Sequence, residues 1–88
     1  VARRSAAEQR KALKPLRDEI ARWEKEADRL RGVLEVIDKG LAAPGLYEKD
    51  PKTATELQIK RAKAVELLDA AETKWLEAEE KLETAQSV

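Results

Sequence analysis

The stretch Leu41-Ala-Ala-Pro44-Gly45-Leu-Tyr-Glu-Lys-Asp50-Pro51 separates two heptad runs and decides how they meet. Pro44 and Gly45 stop a helix. Asp50 and Pro51 start another: the carboxylate accepts the free N–H groups of a first turn, and proline supplies the φ favoured at its first position. Before the break, Leu13, Leu16, Ile20, Trp23, Ala27, Leu30, Leu34, Ile37 and Leu41 recur in steps of 3 and 4. After it, Leu57, Arg61, Ala64, Leu68, Ala71, Trp75, Ala78, Leu82 and Ala85 do the same. That spacing is the 3.5-residue repeat that keeps one stripe facing a partner helix. Each run is the obvious partner of the other, and the chain reads as all-α, an intramolecular antiparallel coiled-coil hairpin.

The register follows from the layers. If paired positions add to 98, Leu34 meets Ala64, Leu30 meets Leu68, Ala27 meets Ala71, Trp23 meets Trp75, Ile20 meets Ala78 and Leu16 meets Leu82. The same register sets Glu19 against Lys81, Glu26 against Lys74, Val33 against Leu67 and Arg17 against Glu79, with one bad pair, Glu24 facing Glu72. Slips of one heptad keep fewer of these pairings. Exposed ion pairs contribute only ~0.2–1 kcal/mol each, so they select among registers. Burial holds the hairpin, at about 1.5–3 kcal/mol for a fully covered Leu or Ile. Ala64, Ala71, Ala78 and Ala85 are small and face larger side chains everywhere except at Ala27, which lets the helices approach closely. The two indoles are the one layer bulky on both sides, and they are expected to lie partly exposed over neighbouring layers.

Working outward, helix 1 is placed at about residues 15–42, the turn at 43–50 and helix 2 at about 51–86, with residues 1–14 a basic lead-in, partly helical or flexible. Pro15 is expected to break or kink the joint between lead-in and helix. Leu46 and Tyr47 are expected to fold over the end of the seam. The composition agrees: 88 residues with 41% charged and 3% aromatic side chains bury a narrow seam, not a broad core. No apolar stretch approaches the roughly 20 residues that span a bilayer, so a soluble protein without membrane contact is expected. The absence of Cys fits a cytoplasmic address, and the absence of an initial Met suggests a piece of a longer protein.

Net charge is zero but unevenly spread. Residues 1–17 carry six Lys/Arg against Glu8, a local +5, whereas residues 66–88 carry seven carboxylates against Lys74 and Lys81, a local −5. The fold-back brings these ends together, and they should attract. Near the turn, residues 44–65 carry five basic and three acidic side chains, a local +2. Candidate phosphate-contacting residues are therefore Arg3, Arg4, Arg10, Lys11 and Lys14 in the lead-in and Lys49, Lys52, Lys60, Arg61 and Lys63 near the tip. Arg61 interrupts the seam, and its stem is expected to cover Ile37 while its charge reaches solvent. Catalytic chemistry is missing. Without His or Cys the usual metal ligands, imidazole bases and thiol nucleophiles are gone, and Gly32, Gly40 and Gly45 form no phosphate loop. The acidic cluster Glu77, Glu79 and Glu80 reads as a solvated helix face. The segment itself is expected to have neither enzymatic activity nor a cofactor.

The segment Pro15-Leu-Arg-Asp-Glu-Ile-Ala-Arg-Trp-Glu-Lys-Glu, the turn Leu41-Ala-Ala-Pro-Gly-Leu-Tyr47 with Asp50-Pro51, and Trp75-Leu-Glu-Ala-Glu-Glu-Lys-Leu82 together resemble one module. It is similar to the C-terminal coiled coil of ABC-F ATPases, notably the Uup-like branches. The resemblance covers nearly the whole chain. It implies a parent with two tandem ATP-binding cassettes, using ATP and magnesium at residues outside this segment, and a C-terminal arm that contacts nucleic acid, either DNA or ribosomal RNA on the ribosome. A neutral arm also suits a second role, packing against its own ATP-binding cassettes or a protein partner as a monomeric hairpin. A tRNA-gripping arm of a synthetase would carry a basic excess that is absent here.

Overall fold

The computed structural model describes residues 5–87 and shows a helical hairpin. Helix α1 spans Ala6–Leu41, a short α2 spans Leu46–Lys49, and α3 spans Pro51–Gln86, with α1 and α3 packed along their length. The rod measures 72 × 16 × 13 Å. Arg3 and Arg4 lie outside the described residues.

The expected register is the observed one. Ala27, Leu30 and Ala71 form the buried centre, with Trp23 and Leu68 packed against it, which reproduces the 27/71 and 30/68 layers. Leu13, Ile37, Ala64 and Ala78 are buried further along the same stripe, and every other seam position except Arg61 is at least half-buried. Ala27 and Ala71 retain 1% of their surface and Leu30 2%. With no side chain beyond Cβ in the Ala27/Ala71 layer, Leu30 fills the space beside it. Ala54 extends the seam one step closer to the turn, at 1% exposure.

The break expected at Pro15 does not occur, and the helix start is corrected from Pro15 to Ala6. Proline removes the N–H that the Lys11 carbonyl would accept, at a cost of about 3 kcal/mol in a helix interior. Two local features offset it. Ser5 caps the helix by accepting the Glu8 N–H on its Oγ at 3.2 Å, and Ser5-Ala-Ala-Glu8 is the S-x-x-E pattern of a capping box. Leu13, just before the proline, is buried on the seam and anchors that turn to the hairpin. Lys11 and Pro15 both face solvent, where water can satisfy the freed carbonyl.

At the tip, the Leu46 N–H donates to the Ala43 carbonyl at 3.2 Å, closing a turn over Pro44-Gly45. Gly45 sits at φ 72°, ψ 14°, the third position of a type II turn, where a side chain would be strained. Leu46 is half-buried, but Tyr47 is 56% exposed and does not cap the seam as expected. Its hydroxyl accepts instead from Gln58 Nε2 at 2.7 Å, tying α2 to the flank of α3. Asp50 is the N-cap that the sequence indicates: it accepts from Thr53 N–H at 3.2 Å and from Thr53 Oγ1 at 2.6 Å. These bonds, the hydroxyl one foremost, hold its carboxyl below the usual aspartate range.

The indole layer is half-buried on both sides as expected, yet Trp23 Nε1 and Trp75 Nε1 are both covered without a hydrogen-bond acceptor. An unmet buried donor costs about 1–3 kcal/mol. Trp75→Phe is therefore expected to change stability by less than about 1 kcal/mol, because removing that penalty offsets the lost ring area, whereas Trp75→Ala should cost ~3 kcal/mol. Urea melts followed by circular dichroism test this, and a Phe variant as damaged as the Ala variant would show that the N–H has a partner. A second expectation concerns Asp50. A depressed carboxyl stabilises the fold above the unfolded-state value, about pH 4, and that contribution disappears as pH falls through the lower folded value. Wild type should thus melt at higher temperature than Asp50→Asn at neutral pH, and the two melting temperatures should converge in acid. Parallel curves at all pH values would rule the assignment out.

Candidate functional site

The candidate basic residues occupy two regions, and the hairpin keeps them apart. Gln86 stands opposite Ala12 in the observed register, so residues 6–11 of α1 run past the end of α3 and carry Arg10 and Lys11 into solvent. Neither makes an ion pair among the described residues. Lys14 is held by Asp18 at 2.6 Å, one turn along the same helix. From Lys14 to the Ile37 layer is 23 residues of helix, roughly 35 Å at 1.5 Å per residue, so the lead-in and the tip cannot form one site.

The attraction expected between the oppositely charged ends is not expressed as ion pairs. Among the described residues, Arg17, Glu19, Glu79 and Lys81 make none, and the expected Glu26–Lys74 bridge is replaced by pairs within each helix. Arg29 donates to both oxygens of Glu26, Nη2 to Oε1 at 2.6 Å and Nε to Oε2 at 3.1 Å, while Lys74 turns to Glu77 at 4.0 Å. The Arg29 hydrogen bond keeps the Glu26 carboxyl below its usual range, and the carboxylate in turn raises the guanidinium. Partners three or four residues along a helix lie within easy reach, whereas a cross-hairpin pair must span the seam. Glu72, expected to repel Glu24, instead has Arg31 of α1 at 3.9 Å.

At the tip the candidates divide by whether a carboxylate holds them. Arg61 donates from Nε to Asp38 Oδ1 at 2.8 Å, across the hairpin. Arg61 is exposed as the sequence suggests, and its charge is in addition held by this cross-hairpin carboxylate. The pair was within reach of sequence reasoning, since Asp38 adjoins Ile37, the layer partner of Arg61. Lys63 has Glu66 at 3.9 Å. Lys49, Lys52 and Lys60 are exposed and have no ion-pair partner among the described residues. The Lys49 stem lies against Gly45, where an added Cβ would come 3.4 Å from Lys49 Cε. Lys52 stands in the first turn of α3, which has no acidic residue, so its charge adds to the positive end of the helix dipole. Exposed Tyr47 belongs to the same end of the rod.

Sequence reasoning overlooked one feature. Beside the seam, α1 and α3 leave an open apolar groove lined by Val33, Val36 and Leu67 together with Arg29, Lys60 and Lys63. The expected pairing of Val33 with Leu67 was its only sequence signal. No cluster of three or more potential metal-ligating side chains occurs among the described residues, and no helix there is long and apolar enough to cross a membrane. Comparison with known proteins adds no relative: no family model, no curated protein and no solved structure matches the chain.

Proposed function

We propose that the hairpin is the C-terminal docking arm of an ABC-F-type ATPase and that its tip contacts nucleic acid, either DNA or ribosomal RNA. The observation that carries this reading is the set of unpaired lysines, Lys49, Lys52 and Lys60, around exposed Tyr47 at one end of a 72 Å rod. Lys14, Arg29, Lys39 and Lys74 each pair with a carboxylate of their own helix, whereas these three lysines do not among the described residues, so the tip holds charge available to phosphate, as do Arg17, Arg22, Lys25 and Lys81 along the rod. Phosphate contacts of this kind give affinity without sequence readout, and an aromatic ring beside them offers a surface on which a base can stack. Arg10 and Lys11, on the projecting turns of α1, supply a second, separate contact. ATP, magnesium and the hydrolytic chemistry belong in this reading to cassettes outside the segment, and the surroundings of the arm are cytoplasmic. The competing reading is an arm that packs on its own cassettes without touching nucleic acid. Zero net charge favours it.

A salt titration separates the two. Fluorescence anisotropy with labelled duplex DNA and with a structured ribosomal RNA fragment should show binding whose logarithm falls linearly with log salt concentration. Lys49→Gln/Lys52→Gln should weaken it and lower the slope by roughly 2, since about one counterion is released per phosphate contact. Arg10→Gln/Lys11→Gln should have a smaller effect. Absence of binding to either nucleic acid at low ionic strength, or an unchanged slope in the tip variant, would favour the cassette-packing arm.

A further inference from the structure

The apolar groove beside the seam is a second interaction surface, which shares Lys60 with the tip but not Lys49 or Lys52. Along α1, Gly32, Val33 and Val36 form a stripe next to the main seam, and Leu67 of α3 faces it. Val36 is 71% exposed and Leu67 42%, although both are large and apolar. The charge around them has one sign. Arg29, Lys60 and Lys63 line the groove and no carboxylate among the described residues does, though Arg29 is held by Glu26 and leaves the two lysines as its open charge. Lys60 has no ion-pair partner among the described residues, and Lys63 has only the 3.9 Å approach of Glu66.

Gly32 is the independent observation. Mid-helix glycine is unfavourable compared with alanine, and a Cβ at Gly32 would meet nothing within 4 Å. No packing inside the hairpin calls for it, in contrast to Gly40, where an added Cβ would lie 3.2 Å from Leu57 Cδ1. A missing side chain at the wall of an exposed apolar groove lets another backbone come close.

We infer that this groove receives the apolar face of an acidic amphipathic helix from a partner protein, which joins α1 and α3 as a third coiled-coil helix. Apolar side chains of the partner would cover Val33, Val36 and Leu67, its backbone would pass over Gly32, and its flanking carboxylates would meet Lys60 and Lys63. A second copy of this chain fits poorly, because a two-fold contact through the groove would bring Lys60 and Lys63 of both copies together with no carboxylate in the lining to meet them. Nucleic acid fits poorly as well, because the apolar lining is aliphatic and offers no ring for a base.

The test uses a labelled synthetic helix with Leu at its a and d positions and Glu at e and g, together with a twin bearing Lys in place of Glu. The acidic peptide should bind and shift the amide resonances of Gly32, Val33, Val36 and Leu67, with the basic twin about tenfold weaker or worse. Val36→Glu should weaken the acidic peptide by about tenfold while the circular dichroism spectrum stays helical. Lys60→Glu/Lys63→Glu, at two exposed positions, should reverse the preference between the twins. Gly32→Ala should raise the melting temperature of the free hairpin yet weaken peptide binding, opposite signs that a purely structural glycine would not give. Lys49→Gln/Lys52→Gln should leave peptide binding unchanged, which separates this surface from the proposed nucleic-acid tip. The inference is overturned if neither peptide binds, if the twins bind equally, or if the shifts fall elsewhere. It is equally overturned if sedimentation shows the chain dimerising through these residues, or if duplex DNA claims the same amides in preference to the peptide.

Discussion

The Ala27/Ala71 layer, with Leu30 filling the space beside it, is the contact on which the rest of the hairpin depends. Two facing alanines bring the backbones together at mid-seam between the Leu30/Leu68 and Trp23/Trp75 layers, and one layer further out on each side a large side chain of α1 meets an alanine of α3. On α3 the small partners are Ala64, Ala71 and Ala78, all buried. A slip of one heptad would still set Ala27 against an alanine, Ala64 or Ala78, so the small layers do not by themselves choose the register. What it would conflict with is the tip, where the Pro44-Gly45 turn and the Asp50 cap determine where α3 begins. The core thus supplies the packing, and the tip fixes which heptad meets which.

That close seam has an electrostatic consequence. A narrow two-helix rod has almost no interior, so most of the ion pairs it makes lie within one helix, as those of Lys14 with Asp18, Arg29 with Glu26 and Lys39 with Glu35 do. Only two ion pairs span the hairpin, Arg61 with Asp38 and the looser Arg31 with Glu72, among the described residues. The local charge excesses along the chain are therefore a poor guide to where charge remains available. It remains at the projecting turns of α1 and at the tip, and along the rod on Arg17, Arg22, Lys25 and Lys81.

Much of the fold was legible because an antiparallel coiled coil is written in a repeat of apolar residues, and a repeat survives without knowledge of distant contacts. The tip was legible for the same reason of locality: Pro-Gly and Asp-Pro act within a few residues of themselves. The misplacement of the α1 start came from giving Pro15 more weight than Ser5-Ala-Ala-Glu8, a pattern equally local and present in the chain. The candidate site was read less well. Composition located basic stretches correctly but did not distinguish Lys60, without a partner, from Arg61, one residue along and held by Asp38.

From its sequence alone, this chain determined that it folds back on itself, which residues face each other across the seam, and which residues cap and turn the tip, since each follows from spacing or from nearest neighbours. Tertiary structure decided which charges stay free, that both indole N–H groups lie covered without an acceptor, and that Val33, Val36 and Leu67 line an open groove together with cations. Those outcomes depend on side-chain reach between two helices in contact. A linear pattern places residues on a face, but only the packed geometry shows which partner each side chain finds first.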